Sequence, residues 1–420
     1  MEVKQIPKPR LRCASREEEY HLEHLDDLID DDHLVRIVWA FVEQLDLSEL
    51  YAQIKAVEGK PGSPAIDAKI LLALWLYATL DHETHARRIA RLCKTHNAYI
   101  WLCGGVNVNY HTLSDFHTQN GTWLDKQFTL HIASLQHQGL VDFNRVAQDG
   151  MRVRADAGAA SFRRKKSLEE CLKDSEEYLE ILRQEKETDP TKRSKRQQAA
   201  QERAARERCE RITKALDQLP EIEKKKKKGE KDKARVSTTD PDVRIMKMAD
   251  GGFRPALNVQ FSTDTNTQII VGVDVVNTGS DQNQLSPMLE QVHKRTGNYP
   301  KEALVDGGFV NKDEVEKCEK KGITFYGPVP KPKDKNRERY EPMPSDSKVV
   351  GDWRKRMGTD KAKIIYKDRA ATAECVNAIA RNRGLKQFCV RSVTKVKTAL
   401  LWFVFAHNIM REVSLRPMAA

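Results

Sequence analysis

The stretch PALNVQFSTDTNTQIIVGVDVVN, residues Pro255–Asn277, decides the fold. Apolar and polar residues alternate in both of its halves, and the intervening DTNT segment, Asp264–Thr267, is rich in residues that favour turns. Alternation with a period of two is typical of strands that bury one face. The stretch therefore predicts a β-hairpin, and the segments on either side of it predict the rest of a sheet.

Three further segments read as strands. RVAQDGMRVRAD, Arg145–Asp156, alternates around Asp149-Gly150 and predicts either one strand or a strand, a turn and a strand. EALV, Glu302–Val305, is a short apolar strand that ends at Asp306, and ITFYGPVP, 323–330, is stopped by prolines. If the first and fourth strands are neighbours in the sheet, Asp149 and Asp306 lie close together.

The intervening segments predict helices that cover this mixed sheet. Their apolar periodicity places helices over Gln284–Thr296, Asp313–Lys321, Ile364–Arg383 and Val393–Ile409. Lys331–Arg356 is polar and contains prolines, so it predicts a loop.

The helix IIYKDRAATAECVNAIARNR, Ile364–Arg383, carries one carboxylate on its polar face. At 100° per residue, Glu374 lies opposite the apolar positions and has Lys367 and Arg381 seven residues away on either side. A regular helix separates Arg369 from Glu374 by about 140°. This pattern predicts an acid directed toward phosphates, or a surface helix with a solvated charge.

The N-terminal part is helical in pattern from about Leu34 to Leu140. The segment Ile66–Leu80 is apolar nearly all round, as in a buried central helix, and the next helix carries Arg87, Arg88 and Arg91. Such a bundle either binds DNA through its basic helix or is a packing domain with a solvated basic face.

Residues 161–234 form a charged excursion from the sheet. Thinly spaced apolar residues predict two antiparallel helices joined near Pro190, followed by a solvated lysine-rich linker that contains Lys224–Lys228. The pair of helices is a plausible surface for contacting DNA or a second subunit.

Composition bounds the class of protein. The 420 residues include 72 Lys and Arg against 61 Asp and Glu, and this basic balance favours a polyanionic partner. Eight cysteines lack a CxxC pair, which indicates reduced thiols rather than a zinc site. No apolar run is long enough for a signal peptide or a membrane span, so we expect a cytoplasmic protein with no membrane partner.

Three acids from separate segments, Asp149, Asp306 and Glu374, are the candidate catalytic residues. Carboxylates that converge repel one another, and a divalent cation relieves the repulsion. All-oxygen ligands suit Mg²⁺ or Mn²⁺, and two such ions can activate and stabilise the oxygens of a phosphodiester displacement. Other acids, Asp156, Asp274, Asp281 and Asp352, compete for these roles. Asp281 precedes a helix, and capping of that helix is the interpretation that we prefer for it.

The chain resembles the DDE transposases of bacterial insertion sequences, which have a helical N-terminal domain and a ribonuclease H-like catalytic domain. The likeness extends from about Asp27 to Arg411. The segments that carry it are VAQDGMRVRADA, STTDPDVRIMK, LNVQFSTDTNTQIIVGVDVVNTGSDQNQLSPML, EALVDGGF and IIYKDRAATAECVNAIARNRGLKQF.

The resemblance implies that Asp149, Asp306 and Glu374 form the catalytic triad and bind the metal, Mg²⁺ or Mn²⁺, as two ions. Tyr366, Arg369 and Arg381 match the family's tyrosine, arginine and basic positions around the glutamate, where lysine often replaces Arg381. Together with Lys367 and the basic helix, these residues are the candidate DNA-binding residues.

The implied activity is binding of terminal inverted repeats, strand cleavage that frees a 3′-hydroxyl, and attack of that hydroxyl on target DNA. The implied protein is a homodimer in the cytoplasm, associated with the nucleoid. Two alternatives stay open, namely a transposase-derived DNA-binding protein without catalysis and a ribonuclease H-like nuclease.

The sequence pattern predicts an α/β fold, and together with the resemblance it implies the following division. Residues 1–30 form an arm, 31–142 a helical and DNA-binding domain, 143–160 with 235–411 the ribonuclease H-like domain, 161–234 the helical insertion, and 412–420 a tail.

Overall fold

A computed structural model describes residues 10–13, 24–188, 194–332, 334 and 336–416. The strands in these ranges are β1 (Leu11–Arg12), β2 (Ala65–Ile66), β3 (Arg145–Arg154), β4 (Phe162–Arg163), β5 (Val236–Ser237), β6 (Arg244–Lys247), β7 (Phe253–Asp264), β8 (Ile270–Val276), β9 (Glu302–Val305) and β10 (Thr324–Tyr326). None of the described helices combines the length and the apolar character that a membrane span requires.

The helices fall into an N-terminal group, an inserted pair and a C-terminal group. The first group is α1 (Leu34–Glu43), α2 (Ser48–Tyr51), α3 (Ala68–Leu80), α4 (Ala86–Leu92), α5 (Asn97–Cys103), α6 (Tyr110–Gln119) and α7 (Gly121–His137). The inserted pair is α8 (Lys165–Thr188) and α9 (Lys195–Lys224). The last group is α10 (Leu285–Thr296), α11 (Lys312–Lys320), α12 (Lys348–Gly358), α13 (Asp360–Arg369), α14 (Cys375–Asn382) and α15 (Val393–Leu415).

The main sheet has the strand order β10, β9, β3, β7, with both β6 and β8 paired to β7. The predicted hairpin is present as β7 and β8, which pair antiparallel, while β9 and β10 run parallel to β3. Helices flank this mixed sheet. The structure confirms the predicted fold class, an α/β ribonuclease H-like sheet after a helical N-terminal region with a helical insertion after the first strand.

Strand β3 continues through Asp149-Gly150 without a turn. Its ladder with β7 is unbroken from Val146, opposite Asp264, to Arg154, opposite Ala256. A turn at Gly150 would break the backbone hydrogen bonds that β3 makes with β7 on both sides of that residue. Of the two structures predicted for this segment, the single strand is therefore correct.

Helix α15 joins the N-terminal helices to the sheet. It packs against α3, α6 and α7 on one side and against β8 on the other. Asn408 is fully buried, accepts a hydrogen bond from the Ile270 amide at 2.9 Å and donates one to the Ile270 carbonyl at 2.8 Å. Because β8 is an edge strand, these bonds satisfy backbone groups that would otherwise lack partners.

Two helix predictions were wrong in part. The segment predicted as a loop, 331–356, contains most of α12, which begins after the Ser347 cap and buries Trp353. The segment Ile364–Arg383 is not one regular helix, because a π-helical segment, Ala370–Glu374, separates α13 from α14. Propensity patterns do not reveal a π segment, since its composition is that of an α-helix.

The inserted helices pack against each other, as predicted. A small separate core contains Leu168 of α8, Ile212 and Leu219 of α9, and Val236 of β5. The predicted junction at Pro190 lies outside the described residues. The division of the chain into domains stays a prediction.

We expect Asn408→Leu to lower the free energy of unfolding by about 1–3 kcal/mol, because it leaves the Ile270 N–H and C=O buried without partners. Urea unfolding followed by circular dichroism measures the difference. Asn382→Leu, at an exposed position of α14, is the control and should change stability little. Equal effects of the two substitutions would contradict this role of Asn408.

Buried His131 predicts an acid-sensitive fold. Burial lowers the pKa of His131 from 6.5 to about 4, so below pH 6.5 the unfolded chain binds a proton that the folded chain does not. The folded state therefore loses stability as pH falls from 6.5 toward 4, by about 2 kcal/mol at pH 5. His131→Phe should reduce the decrease in unfolding free energy between pH 7.5 and 5 by about this amount, while buried His117 and His407, whose pKa values are also lowered, keep their share of it. His137→Phe, on the exposed face of α7, should leave it unchanged.

Candidate active site

Asp149 and Asp306 are neighbours across two paired strands. Parallel pairing of β3 with β9 places Gln148 opposite Val305, so the next residue of each strand is one of the two acids. Asp149 lies within β3, and Asp306 directly follows β9. The structure thus brings these two predicted site residues together.

The backbone orients both carboxylates. The Gly150 amide donates to Asp149 Oδ1 at 2.9 Å, and the Gly308 amide donates to Asp306 Oδ1 at 2.8 Å. Burial, followed by the negative charge of Asp306, raises the pKa of Asp149 from 3.8 to about 6. The two acids are therefore close enough to interact, and a nearby positive charge would favour the ionised pair.

Glu374 lies over the same strands but does not join the pair of aspartates. It ends the π segment, which packs on β3 and β7, and its side chain is 58% exposed. Its Oε1 accepts a hydrogen bond from Arg369 Nη2 at 2.6 Å. In a regular helix these two residues would point apart, but the wider π turn, closed by i→i+5 hydrogen bonds, brings residues five apart closer to one side.

Asn377 connects the glutamate helix to β3. Its Nδ2 donates to Asp149 Oδ2 at 3.0 Å, three residues after Glu374 in sequence. The Asn377 side chain is buried, and the oxygen of the same amide has no hydrogen-bond partner among the described residues. Sequence reasoning assigned no role to Asn377.

Tyr366 fixes α13 to β9 beside the second aspartate. Its hydroxyl donates to the Val305 carbonyl at 3.1 Å, one residue before Asp306. The Arg369 guanidinium lies 5.8 Å from the centre of the Tyr366 ring. Tyr366 therefore holds α13 against the end of β9, and Arg369, which lies beside the Tyr366 ring, contacts Glu374.

The predicted DNA-binding residues are all at the surface except Tyr366 and Arg369, which are partly buried. Lys367 and Arg381 are exposed and form no ion pair within the described part of the chain. The residues of α4 have different surroundings. Arg88 pairs with Glu83 at 2.7 Å, Arg87 lies 5.1 Å from the ring centre of Tyr110, and Arg91 is exposed.

Asp281 was predicted to cap α10, and this was wrong. The helix begins at Leu285 after Gln284 and has no side-chain cap. Asp281 is instead buried, and its Oδ1 accepts hydrogen bonds from Asn258 at 2.7 Å and Gln260 at 2.8 Å. The only signal for this placement is the pair of amide residues at alternate positions of β7, which occupy one face of a buried strand.

Carboxylate oxygens are the type of ligand that a hard divalent cation prefers, but the three acids do not converge on one point in this structure. Asp149 and Asp306 provide oxygen donors, and the unpartnered Asn377 oxygen lies on the amide that contacts Asp149. Throughout the described ranges, no three His, Cys, Asp or Glu residues are arranged to hold a metal ion. Glu374 is not directed at the aspartates, because its carboxylate accepts a hydrogen bond from Arg369.

Comparison with family models gives two matches. The transposase DDE domain matches residues 221–409, a range that contains Asp306 and Glu374, and the transposase domain DUF772 matches residues 23–119. Asp149 lies between the two matched ranges. Comparisons with curated proteins and with solved structures returned no match. The two matches and the ribonuclease H-like sheet show that the chain belongs to the DDE transposases of the insertion-sequence type.

Proposed function

We propose that this transposase binds the terminal inverted repeats of a DNA element and catalyses strand cleavage and strand transfer through Asp149, Asp306 and Glu374. The observation that carries the proposal is the adjacency of Asp149 and Asp306 on paired strands. The contact of Asn377 with Asp149 supports it, because that contact comes from the helix that follows Glu374. Water and then a 3′-hydroxyl would be the attacking groups.

The three carboxylates would hold Mg²⁺ or Mn²⁺, as two ions, which activate the attacking oxygen and stabilise the leaving one. For Glu374 to join the aspartates, its side chain must leave Arg369. This change is local, since Glu374 is 58% exposed. It would also free the Arg369 guanidinium, whose planar set of donors matches the geometry of a phosphate.

Binding of DNA would use the exposed cations around the acids. Lys367 and Arg381 lie on the helices that flank Glu374, where a phosphate backbone entering the site would pass. Arg87 and Arg91 on α4 would extend the contact along the DNA. Arg88 would contribute less to DNA binding, because its guanidinium forms an ion pair with Glu83. We also propose a homodimer, because two DNA ends must be joined, located in the cytoplasm with the nucleoid.

We expect Asp149→Asn, Asp306→Asn and Glu374→Gln each to lower the rate of cleavage of repeat-ended DNA by about a hundredfold or more, because each removes charge where the phosphoryl group reacts. DNA binding, measured by fluorescence anisotropy, should remain. The control is Asp352→Asn, which alters an exposed carboxylate on α12 and should leave cleavage unchanged.

Cleavage that survives in all three variants would contradict the catalytic assignment. Pre-cut ends test the second half of the reaction. Joining of pre-cut ends to target DNA by the native chain supports a transposase, whereas cleavage without joining would indicate a nuclease.

We expect Lys367→Ala and Arg381→Ala each to weaken binding of all DNA sequences and to reduce the slope of log K against log[salt] by about 0.9. Loss of one phosphate contact releases one counterion fewer, which is the reason for the reduced slope. Lys361→Ala, on an exposed position of α13, is the matched control. A slope identical to that of the native chain in both variants would exclude these two residues from the phosphate contacts.

A further inference from the structure

A cavity of about 340 Å³ lies between the N-terminal helices and the segment that joins α14 to α15. One wall comes from α3, α4 and α6, and the other comes from residues 383–390 and from α15. None of the three candidate catalytic acids lines it. Sites for small molecules have volumes of roughly 300–1,000 Å³, so this cavity is large enough for one.

Aromatic side chains form much of the cavity lining. The ring centre of His117 lies 4.0 Å from that of Trp75 and 5.8 Å from that of Trp402. Tyr110 and Phe388 also line the cavity. Burial lowers the pKa of His117 to about 3, so its ring is neutral near pH 7. Flat, uncharged walls of this kind favour a planar ligand that stacks on them.

Arg383 contributes a positive charge that the protein does not neutralise. Its Nη1 is buried and has no hydrogen-bond partner among the described residues. Burial lowers the pKa of Arg383, and no carboxylate in the described part of the chain opposes this shift. A partly buried guanidinium without a partner is costly, and an anionic ligand in the cavity would supply the missing partner.

The remaining charges of the lining do not cancel that of Arg383. Glu83 is the only carboxylate among the described lining residues, and Arg88 pairs with its Oε2 at 2.7 Å. The other oxygen of Glu83 accepts hydrogen bonds from the amides of Thr84 and His85, both at 2.9 Å. Arg87 adds an exposed cation to the lining. The cavity is therefore positive as well as aromatic.

These two properties match the two parts of a nucleotide. We infer that the cavity binds a nucleotide, with its base against the aromatic rings and its phosphate on the guanidinium of Arg383. The nucleotide is either a free molecule or an unstacked residue of a bound DNA strand, whose backbone would pass the exposed Arg87. Only the second source rests on the proposed function.

Equilibrium dialysis of the full chain against labelled deoxynucleoside 5′-monophosphates tests the inference without any activity measurement. We expect at least one of the four to bind. Its unphosphorylated nucleoside and 2-deoxyribose 5-phosphate should each bind about tenfold more weakly or worse, because each lacks one of the two recognised parts. Failure of all four monophosphates to bind would overturn the inference.

Substitution of Arg383 tests the phosphate contact. We expect Arg383→Gln to weaken binding of the monophosphate by about tenfold or more, and Arg383→Lys to retain part of the affinity, because it keeps the charge but not the planar donors. The matched control is Lys386→Gln, which removes a positive charge from an exposed side chain outside the lining and should change the affinity little. Equal effects of Arg383→Gln and Lys386→Gln would contradict the contact.

A substitution that fills the cavity tests its location independently. Ala399 lines the cavity from α15, and Ala399→Leu would occupy part of the space that a base needs. We expect this variant to lose binding of the monophosphate while its midpoint of thermal unfolding does not fall, because the added side chain enters empty space. It keeps the inference testable if Arg383→Gln does not fold. Unchanged affinity in folded Ala399→Leu would exclude the cavity as the site.

Competition with DNA distinguishes the two sources. A duplex with unpaired ends that displaces the bound monophosphate indicates that a nucleotide of the strand enters the cavity, whereas simultaneous binding of both indicates a free nucleotide. Glu374→Gln should retain monophosphate binding, since Glu374 does not line the cavity. Cleavage of DNA without monophosphate binding would therefore contradict this inference alone, and monophosphate binding without cleavage would contradict only the proposed function.

Discussion

The parallel pairing of β3 with β9 is the constraint on which the site depends. It aligns Gln148 with Val305, and the next residues are two acids that repel each other. The protein stabilises this pair by backbone amides and by Asn377 rather than by separating the charges. A fold that only needed stability would gain by replacing one aspartate with a neutral residue, so the pair marks a candidate functional site.

The π segment before α14 is the second element that the site requires. It turns Glu374 toward Arg369, while Tyr366 anchors the preceding helix to the Val305 carbonyl. One helical region therefore contacts both β3 and β9 close to the acids. Because a π turn is less stable than an α turn, its presence is easier to explain by the direction it gives Glu374 than by packing. The Arg369 guanidinium donates to the Glu374 carboxylate, and its positive charge acts to lower the pKa of Asp149.

The sheet was predictable because its strands alternate with a clear period. The hairpin around Asp264–Thr267 and the strand Glu302–Val305 have strong local patterns. The position of Asp306 could be predicted because it directly follows the second of these elements. The helix around Trp353 was missed because its apolar stripe is short and its surroundings are polar. The local sequence pattern predicts such a helix poorly, because most of its stability comes from packing against the rest of the fold.

The missed parts of the site depend on contacts between distant residues. A 100° wheel cannot contain a π turn, so it separated Arg369 from Glu374. Asp281 precedes a helix, where capping is the common role, and only the fold shows that Asn258 and Gln260 reach it from β7. Single-sequence reasoning can therefore identify which acids are available, but the direction of each carboxylate is set by residues far along the chain.

The connection between β5 and β6 contains two aspartates, Asp240 and Asp242, that link the inserted helices to α15. Asp242 accepts hydrogen bonds from Lys214 and Gln218 of α9 and from the Val393 amide at the start of α15, and Asp240 accepts from the Ser392 amide. Negative charge at a helix N-terminus is favourable, so these acids stabilise the first turn of α15. That helix continues to β8, where Asn408 meets the edge strand. A movement of α9 at Lys214 and Gln218 would therefore also disturb the first turn of α15, the helix that covers the sheet.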